Sequence, residues 1–194
     1  MSRLAGIVLA AGTSARFGAD NKLLARYGGQ PMVRSVVEAA LATDLDPVIV
    51  VTGHDADGVQ EALGGLEVVV AHNAEFETGQ AGSLKTGIAV VPQSCAGAMI
   101  LLGDMPDVSA EIINQLLDEF TGEDCIIVPQ HNGMRGNPVI LGTGNFAELE
   151  KTSGDKGARS LFSADNVCMI EVDSDAILRD FDTPESLKDH GCDF

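Results

Sequence analysis

The residues best suited to chemistry lie in one loop near the start of the chain. The loop follows the apolar run Ile7-Val8-Leu9 and combines small residues with two cations. Its candidate ligand-binding residues are Leu9, Ala10, Ala11, Gly12, Thr13, Ser14, Arg16, Phe17, Gly18 and Lys22. Small residues let backbone N–H groups approach a phosphate, and Arg16 and Lys22 supply positive charge. The pattern predicts a loop that holds a polyphosphate.

Neither of the two common phosphate-binding motifs fits this loop. A Walker A motif needs a glycine where Phe17 stands, and the dinucleotide fingerprint needs one where Ser14 stands. The second mismatch makes a dehydrogenase a poor interpretation. What remains is a strand-to-loop turn in which glycines and two cations surround the ligand.

A candidate metal ligand, Asp104, follows a second apolar run. It comes directly after Leu101-Leu102-Gly103. The carboxyl ends of buried strands line the usual ligand crevice of open α/β sheets, and Gly103 leaves room there. A carboxylate in that crevice suits Mg²⁺, with Mn²⁺ as an alternative, because these ions accept hard oxygen ligands and substrate phosphates.

A second carboxylate for such a site is available near the C-terminus. The segment Arg179-Asp-Phe-Asp-Thr-Pro-Glu185 offers Asp180 and Asp182. Because Mg²⁺ is held by one or two carboxylates plus phosphate oxygens, either residue could complete a site with Asp104.

The elements that must position these residues are predicted from apolar patterns. Buried strands are predicted at residues 5–10, 47–51, 66–71, 98–102 and 167–172. A strand pair is predicted at residues 126–128 and 139–141, joined by a polar segment at residues 130–137.

Helices are predicted between these strands. Apolar residues recur at helical spacing after Pro31, Ser83 and Ser109, and the two serines are the predicted N-caps. Shorter helices are predicted at residues 57–63 and 184–188. The alternation predicts a three-layer α/β fold of Rossmann-like type with a mostly parallel, mixed sheet. We expect a single domain over residues 1–194.

Composition narrows the classes of ligand. Twelve basic and 29 acidic residues give a net charge of −17, which should repel nucleic acid and anionic membranes. An anionic ligand must therefore be bound by local cations, backbone N–H groups or a metal ion. No apolar stretch approaches the roughly 20 residues of a membrane-spanning helix.

Cysteine and histidine usage favours a cytoplasmic protein without a zinc site. The cysteines show no Cys-x-x-Cys spacing, and the chain begins with an apolar strand instead of a signal peptide. The histidines show no paired spacing with one another or with cysteine. The residues concerned are Cys95, Cys125, Cys168, Cys192, His54, His72, His131 and His190.

The first loop closely resembles the signature of the molybdenum-cofactor type of nucleotidyltransferase, Leu-Ala-Ala/Gly-Gly-x-Ser-x-Arg-Phe/Met-Gly with a following Lys. The resemblance implies a GT-A-like fold in which the loop wraps a nucleoside triphosphate and Arg16 and Lys22 hold its phosphates. Ala-Ala-Gly at residues 10–12 and Arg-Phe-Gly at residues 16–18 are similar to the CTP-using cytidylyltransferases, whereas the GTP-using branch typically has Ala-Gly-Gly and Arg-Met-Gly. The methyl group of Ala11, if it approaches the base, would also favour the smaller pyrimidine, by about 1–3 kcal/mol.

The resemblance implies roles for later residues as well. It favours Asp182 over Asp180 as the second metal ligand, because the family shows Asp-x-Asp-Thr-Pro-Glu there. It also implies that the segment from Gly79 to Lys85 contacts the nucleotide, with Gly82 and Ser83 as the candidate residues.

Two further segments point to the acceptor side of the reaction. Arg135-Gly-Asn137-Pro resembles the family's Arg-Gly-His-Pro, and Gly154-Asp155-Lys-Gly-Ala-Arg159 resembles its Gly-Asp-x-Gly-Ala-Arg. The implied acceptor-binding residues are Arg135, Asn137, Asp155 and Arg159. Asn137 stands where the family commonly has histidine, so an acid–base role of that histidine does not carry over.

These features favour Mg²⁺-dependent transfer of CMP from CTP to the terminal phosphate of molybdopterin, with release of pyrophosphate. Arg16 and Lys22 would be catalytic because they help to neutralise developing oxygen charge, and Asp104 because it would hold the Mg²⁺ that does the same. The alternatives are a guanylyltransferase, an enzyme acting on another small phosphorylated acceptor, and a non-catalytic nucleotide-binding chaperone that delivers the cofactor. The resemblance allows a molybdoenzyme that receives the product as a further partner.

Overall fold

The computed structural model of the protein describes residues 2–14, 17, 21–154, 157–158, 166–182 and 187. The strands are β1 (Leu4–Ala10), β2 (Arg26–Tyr27), β3 (Gln30–Pro31), β4 (Leu45–Thr52), β5 (Val69–His72), β6 (Gly97–Leu102), β7 (Ile126–His131), β8 (Met134–Arg135), β9 (Val139–Gly142) and β10 (Val167–Glu171). The α-helices are α1 (Met32–Leu41), α2 (Ala56–Ala62), α3 (Gln80–Ala89), α4 (Ala110–Asp118) and α5 (Phe146–Leu149).

One mixed sheet organises the chain, in the strand order β10-β7-β9-β6-β1-β4-β5, with β8 paired to β7. Strand β1 lies near its centre, parallel to both β4 and β6, and Val8 is opposite Val50 and Leu101. Strand β9 is antiparallel to its neighbours β6 and β7. The predicted mostly parallel, mixed sheet is therefore confirmed.

Helices cover both faces of this sheet because the buried strands are apolar on both faces. Along β1, Leu4, Val8 and Ala10 pack with α1, α2 and α4 in one core cluster. Ala5 and Ile7 face the other cluster, which includes Leu84 of α3 and Leu149 of α5. This alternation along one strand produces the three predicted α/β/α layers.

Helix α3 begins earlier than the sequence predicts. Ser83 is not its N-cap, because the helix starts at Gln80 after Gly79, which has a φ of 105°. Ser83 lies inside the helix, is 5% exposed and accepts a hydrogen bond from Asn73 Nδ2 at 3.1 Å. Ser109 does cap α4, and its hydroxyl accepts from the N–H of Ile112.

Two other predicted boundaries are wrong. The strand predicted at residues 66–71 starts only at Val69, because the N–H groups of Leu66 and Val68 bond locally, to the carbonyls of Leu63 and Leu66. The strand predicted at residues 126–128 continues to His131, and the polar segment that follows includes the turn of the β7–β8 hairpin. Asn132 and Gly133 have φ values of 51° and 77°, as a two-residue turn between antiparallel strands requires.

Within the described part of the chain, no helix has the length and apolarity needed to cross a membrane. The helix predicted at residues 184–188 falls largely outside the described residues.

The close packing of α3 on β1 and β4 can be tested at Gly87. A methyl group on this residue would lie 2.6 Å from Ile7 Cγ2 and 3.0 Å from Val51 Cγ2. We expect Gly87→Ala to lower the free energy of unfolding by about 1–3 kcal/mol despite alanine's better helix propensity. Circular dichroism should show a fall in Tm of roughly 2–4 °C per kcal/mol. The control is Thr86→Ala in the same helix, which should change Tm by about 2 °C or less; a Gly87→Ala Tm at or above the wild-type value would contradict the packing.

Candidate active site

A cavity of about 520 Å³ opens where β1 and β6 end. The lining residues come from the loop after β1, the turn after β6, the 3₁₀ turn Phe76–Thr78 and the start of α3. They are Leu9, Ala11, Gly12, Thr13, Lys22, Leu23, Phe76, Glu77, Gly79, Gln80, Ser83, Leu102 and Asp104. The cavity therefore lies at the carboxyl edge of the parallel strands, where open α/β sheets bind ligands.

The ends of β1 and β6 meet closely at this edge. The N–H of Gly103 donates to the carbonyl of Leu9 at 3.0 Å, and a methyl group on Gly103 would lie 3.0 Å from the same oxygen. A larger residue here would push Asp104 away from the loop after β1.

The loop after β1 is held by Ser14 and Asn21. Ser14 has a φ of 51°, and its hydroxyl donates to Asn21 Oδ1 at 3.2 Å and accepts from the N–H of Lys22 at 3.2 Å. Asn21 Oδ1 also accepts from the N–H of Leu23 at 3.1 Å, which starts the 3₁₀ turn Lys22–Leu24. These bonds bring Lys22 back to the cavity.

The predicted nucleotide-binding residues divide into three groups. Those that line the cavity are Leu9, Ala11, Gly12, Thr13, Lys22 and Ser83. Those that do not line it, although the structure describes them, are Ala10, Ser14, Phe17 and Gly82. Arg16 and Gly18 lie outside the described residues.

The residues set back from the cavity have packing contacts instead. Ala10 is fully buried in the core under α1, and Phe17 packs with Met32 and Phe181. A methyl group on Gly82 would meet Thr78 Oγ1 at 3.0 Å. Direct contact of these residues with a nucleotide remains a prediction.

Lys22 is the electrostatic centre of the cavity. Its ammonium Nζ lies 2.5 Å from Asp104 Oδ2 and 2.5 Å from Asp182 Oδ1, and its side chain is 12% exposed. Burial alone would lower the pKa of Lys22, but the charges and hydrogen bonds of Asp104 and Asp182 outweigh burial and raise it. Lys22 is therefore a permanent cation shared by the two carboxylates.

Asp180 joins these two carboxylates. One carboxylate oxygen of Asp104, of Asp180 and of Asp182 can be chosen so that all three lie within 4.8 Å of one another. Burial, followed by the charges of Asp182 and Asp104, raises the pKa of Asp180 above its ordinary value. Such a set of oxygen ligands fits a hard divalent cation.

The predicted acceptor-side residues are only partly described. Arg135 is exposed on β8. Asn137 borders a small cavity of about 30 Å³ that shares Leu9, Gln80 and Leu102 with the main one. Its N–H donates to the carbonyl of Ile177 at 2.8 Å. Asp155 and Arg159 lie outside the described residues.

Several cavity residues were not identified from the sequence. Phe76 and Glu77 line the cavity, and Gly53 supports it. A methyl group on Gly53 would lie 2.6 Å from Phe76 Cβ and 2.8 Å from Ala11 Cβ. The position of Gly53, just after the predicted strand at residues 47–51, was the available signal, since ligands bind at strand ends.

The fold and cavity define an α/β protein with a ligand site at the carboxyl edge of its sheet. The chain belongs to the MobA-like NTP transferase domain family, which it matches over residues 6–168, and it is a nucleotidyltransferase.

Named relatives include two that match most of the chain. The molybdenum cofactor cytidylyltransferase of Escherichia coli is 25% identical, covering 96% of this chain and 95% of that protein. The probable molybdenum cofactor guanylyltransferase of Thermococcus sibiricus is 27% identical, covering 87% and 85%. The bifunctional protein GlmU of Geobacter metallireducens is 32% identical over 61% of the chain, which spans only 25% of that protein's length.

Solved structures share the fold of this chain. Rv0371c from Mycobacterium tuberculosis has a TM-score of 0.83 at 29% identity, covering 97% of this chain and 98% of that one. A structure of Rv0371c in complex with manganese has a TM-score of 0.71 at 26% identity, covering 88% of both chains.

The raised pKa of Asp180 gives a testable dependence of stability on pH. A carboxyl group whose pKa is higher in the folded than in the unfolded chain lowers stability as pH rises through the interval between the two values. Without divalent metal, we expect Asp180→Asn to raise Tm at pH 7 by about 1–3 °C. The gain should vanish as pH approaches about 4.

Asp175→Asn is the matched control. The hydrogen bond from Arg179 lowers the pKa of Asp175, so this carboxylate stabilises the fold at neutral pH, and its loss should leave Tm equal or lower. Thermal melts in EDTA from pH 4 to 8 measure both variants. A lower Tm for Asp180→Asn at pH 7 would contradict the repulsion among the three carboxylates.

Proposed function

We propose that this nucleotidyltransferase transfers CMP from CTP to the terminal phosphate of a molybdopterin-type acceptor and releases pyrophosphate. The observation that carries the proposal is the contact of Lys22 with Asp104 and Asp182 at the cavity formed by the loop after β1. The Escherichia coli relative named molybdenum cofactor cytidylyltransferase, which matches almost the whole chain, supports the choice of nucleotide and acceptor.

The proposed reaction exchanges one phosphoanhydride bond for another. An oxygen of the acceptor phosphate attacks the α-phosphorus of CTP, the new P–O bond forms, and the bond to the β-phosphate oxygen breaks as pyrophosphate leaves. The attacking phosphate is already ionised, so the step needs no strong general base. The protein contributes mainly positioning and charge neutralisation.

Charge neutralisation falls to Lys22, to Arg16 and to a divalent cation. Asp104 and Asp182, with Asp180 beside them, offer the hard oxygen ligands that Mg²⁺ or Mn²⁺ accepts. When bound, such a cation supplies positive charge to the phosphates. The manganese complex of Rv0371c, a structural relative, supports a divalent cation in this family.

On the acceptor side we propose Arg135, Asn137, Asp155 and Arg159 as binding residues. Support comes from Asn137, which borders a small cavity that shares three lining residues with the main one. Asn137 can donate and accept hydrogen bonds but cannot carry a proton between groups at neutral pH. Its role is therefore to orient the acceptor.

Guanylyl transfer is the main alternative, and the Thermococcus sibiricus relative favours it by name. The methyl group of Ala11 argues for CTP. Ala11 lines the cavity, is 3% exposed, and lies against Gly53 on the neighbouring strand end. Its methyl group has little room to move away from a larger base.

A panel of nucleotides tests the reaction directly. The protein is incubated with each of the four NTPs, Mg²⁺ and molybdopterin, and pyrophosphate release and product mass are measured. We expect the largest kcat/KM with CTP and a product that carries CMP. Faster turnover with GTP would overturn the cytidylyl assignment. Nucleotide binding without pyrophosphate release from any NTP would favour the cofactor-delivery chaperone.

The role of Ala11 in base selection is tested by Ala11→Gly. Removing the methyl group should lower the CTP-to-GTP ratio of kcat/KM by about tenfold, since one methyl group in a pocket contributes about 1–3 kcal/mol of discrimination. The matched control is Ala98→Gly, which removes a fully buried methyl group from β6 away from the cavity lining and should leave that ratio unchanged. An unchanged ratio in Ala11→Gly would show that the base is selected elsewhere.

A further inference from the structure

Three separate segments deliver the charged groups of the site. Lys22 follows the loop after β1, Asp104 follows β6, and Asp180 and Asp182 follow the 3₁₀ turn Asp175–Leu178. Lys22 Nζ can contact both Asp104 and Asp182 only while these segments keep their present spacing. Asp107 accepts hydrogen bonds from Tyr27, which follows the Lys22 turn, and from Arg179, which precedes Asp180.

Both oxygens of Asp107 accept hydrogen bonds from different segments. Tyr27 donates its hydroxyl to Oδ1, and Arg179 donates a guanidinium N–H to Oδ2. The side chain of Asp107 is 13% exposed, so water screens these bonds less than it would at the surface. Asp107 does not line the cavity formed by the described residues.

Each partner of Asp107 is close in sequence to a charged residue of the site. Tyr27 lies in the β2–β3 hairpin, directly after the turn that carries Lys22. Arg179 precedes Asp180. Asp107 itself is three residues after Asp104, in the same segment between β6 and α4.

Phe181 reinforces this arrangement between the two C-terminal carboxylates. Its N–H donates to the carbonyl of Asp104 at 3.1 Å. Its ring is fully buried, with the centroid 5.4 Å from that of Tyr27. Asp180 thus lies between two anchored residues, Arg179 and Phe181, and Asp182 directly follows Phe181.

We propose that Asp107 is a positioning residue that sets the spacing of Lys22, Asp104, Asp180 and Asp182. The inference rests on the proposed metal-dependent nucleotidyl transfer. Asp107 touches neither the nucleotide nor the metal in this scheme and acts through Tyr27 and Arg179. Losing its charge would let the C-terminal segment shift away from Asp104, which should weaken metal binding and kcat more than nucleotide binding.

The experiment measures Mn²⁺ binding by electron paramagnetic resonance on the full chain, with CTP and separately with GTP. We expect Asp107→Asn to weaken Mn²⁺ binding about tenfold. This is the lower end of the loss in metal affinity seen when residues that orient metal ligands are replaced. kcat should fall by a similar factor, while KM for CTP changes less than threefold.

Asp175→Asn is the control, because it removes the other carboxylate partner of the same Arg179 guanidinium. It should change Mn²⁺ affinity less than twofold even where it lowers Tm. Tyr27→Phe keeps the ring against Phe181 but removes the hydroxyl, and it should weaken Mn²⁺ binding by about threefold.

Mn²⁺ affinities for Asp107→Asn and Tyr27→Phe that equal the Asp175→Asn value would overturn the proposal. If Asp107→Asn does not fold, the Mn²⁺ affinity of Tyr27→Phe is compared with that of Asp175→Asn, and equal values overturn the proposal. The Mn²⁺ measurement needs neither acceptor nor turnover. A preference for GTP in the nucleotide panel would therefore sink cytidylyl transfer and leave this test intact.

Discussion

The contact of one ammonium group with two carboxylates constrains the whole candidate site. Lys22 reaches Asp104 across 82 positions of sequence and Asp182 across 160. The sheet makes this possible because β1 and β6 are parallel neighbours whose carboxyl ends meet at one edge. The C-terminal segment then joins them through the bond from Phe181 to Asp104. Without the lysine, three carboxylates this close would repel one another strongly in a partly buried site.

Charge also explains why Lys22 alone is an incomplete site for a triphosphate. The chain has a net charge of −17, and the three carboxylates with Lys22 carry a net charge of −2 when all are ionised. A triphosphate entering this field would be repelled. A divalent cation held by these carboxylates would remove that repulsion.

The sequence predicted the features that have a local signature. The apolar run of β1, the small-residue loop and Asp104 after a buried strand are each readable within a few residues, and the structure brings Lys22, Asp104 and Asp182 together. The contacts of Asp107 with Tyr27 and Arg179 have no such signature, because they join segments 80 and 72 positions apart. The prediction that Ser83 is the N-cap of α3 is wrong, because Gly79, which has a positive φ, is the N-cap and the helix starts at Gln80. Gly53 matters only through its distance to Ala11 and Phe76, which tertiary packing sets.

In the proposed reaction, selection of the base would depend on the packing of Ala11 against Gly53 and Phe76 and on the polar groups of the cavity. Ala11, Gly53 and Phe76 lie so close that a methyl group at position 53 would come within 3 Å of both neighbours. The methyl group of Ala11 is therefore held in place by its neighbours. A single methyl group, however, discriminates between bases by only about 1–3 kcal/mol. Stronger selection requires hydrogen bonds to the base edge, because an unpaired buried polar group costs more than a steric misfit. The polar side chains that follow Phe76 along the cavity are Glu77, Gln80 and Ser83. A carboxylate such as Glu77 accepts hydrogen bonds and cannot donate them, so it favours a base that presents an amino group to it.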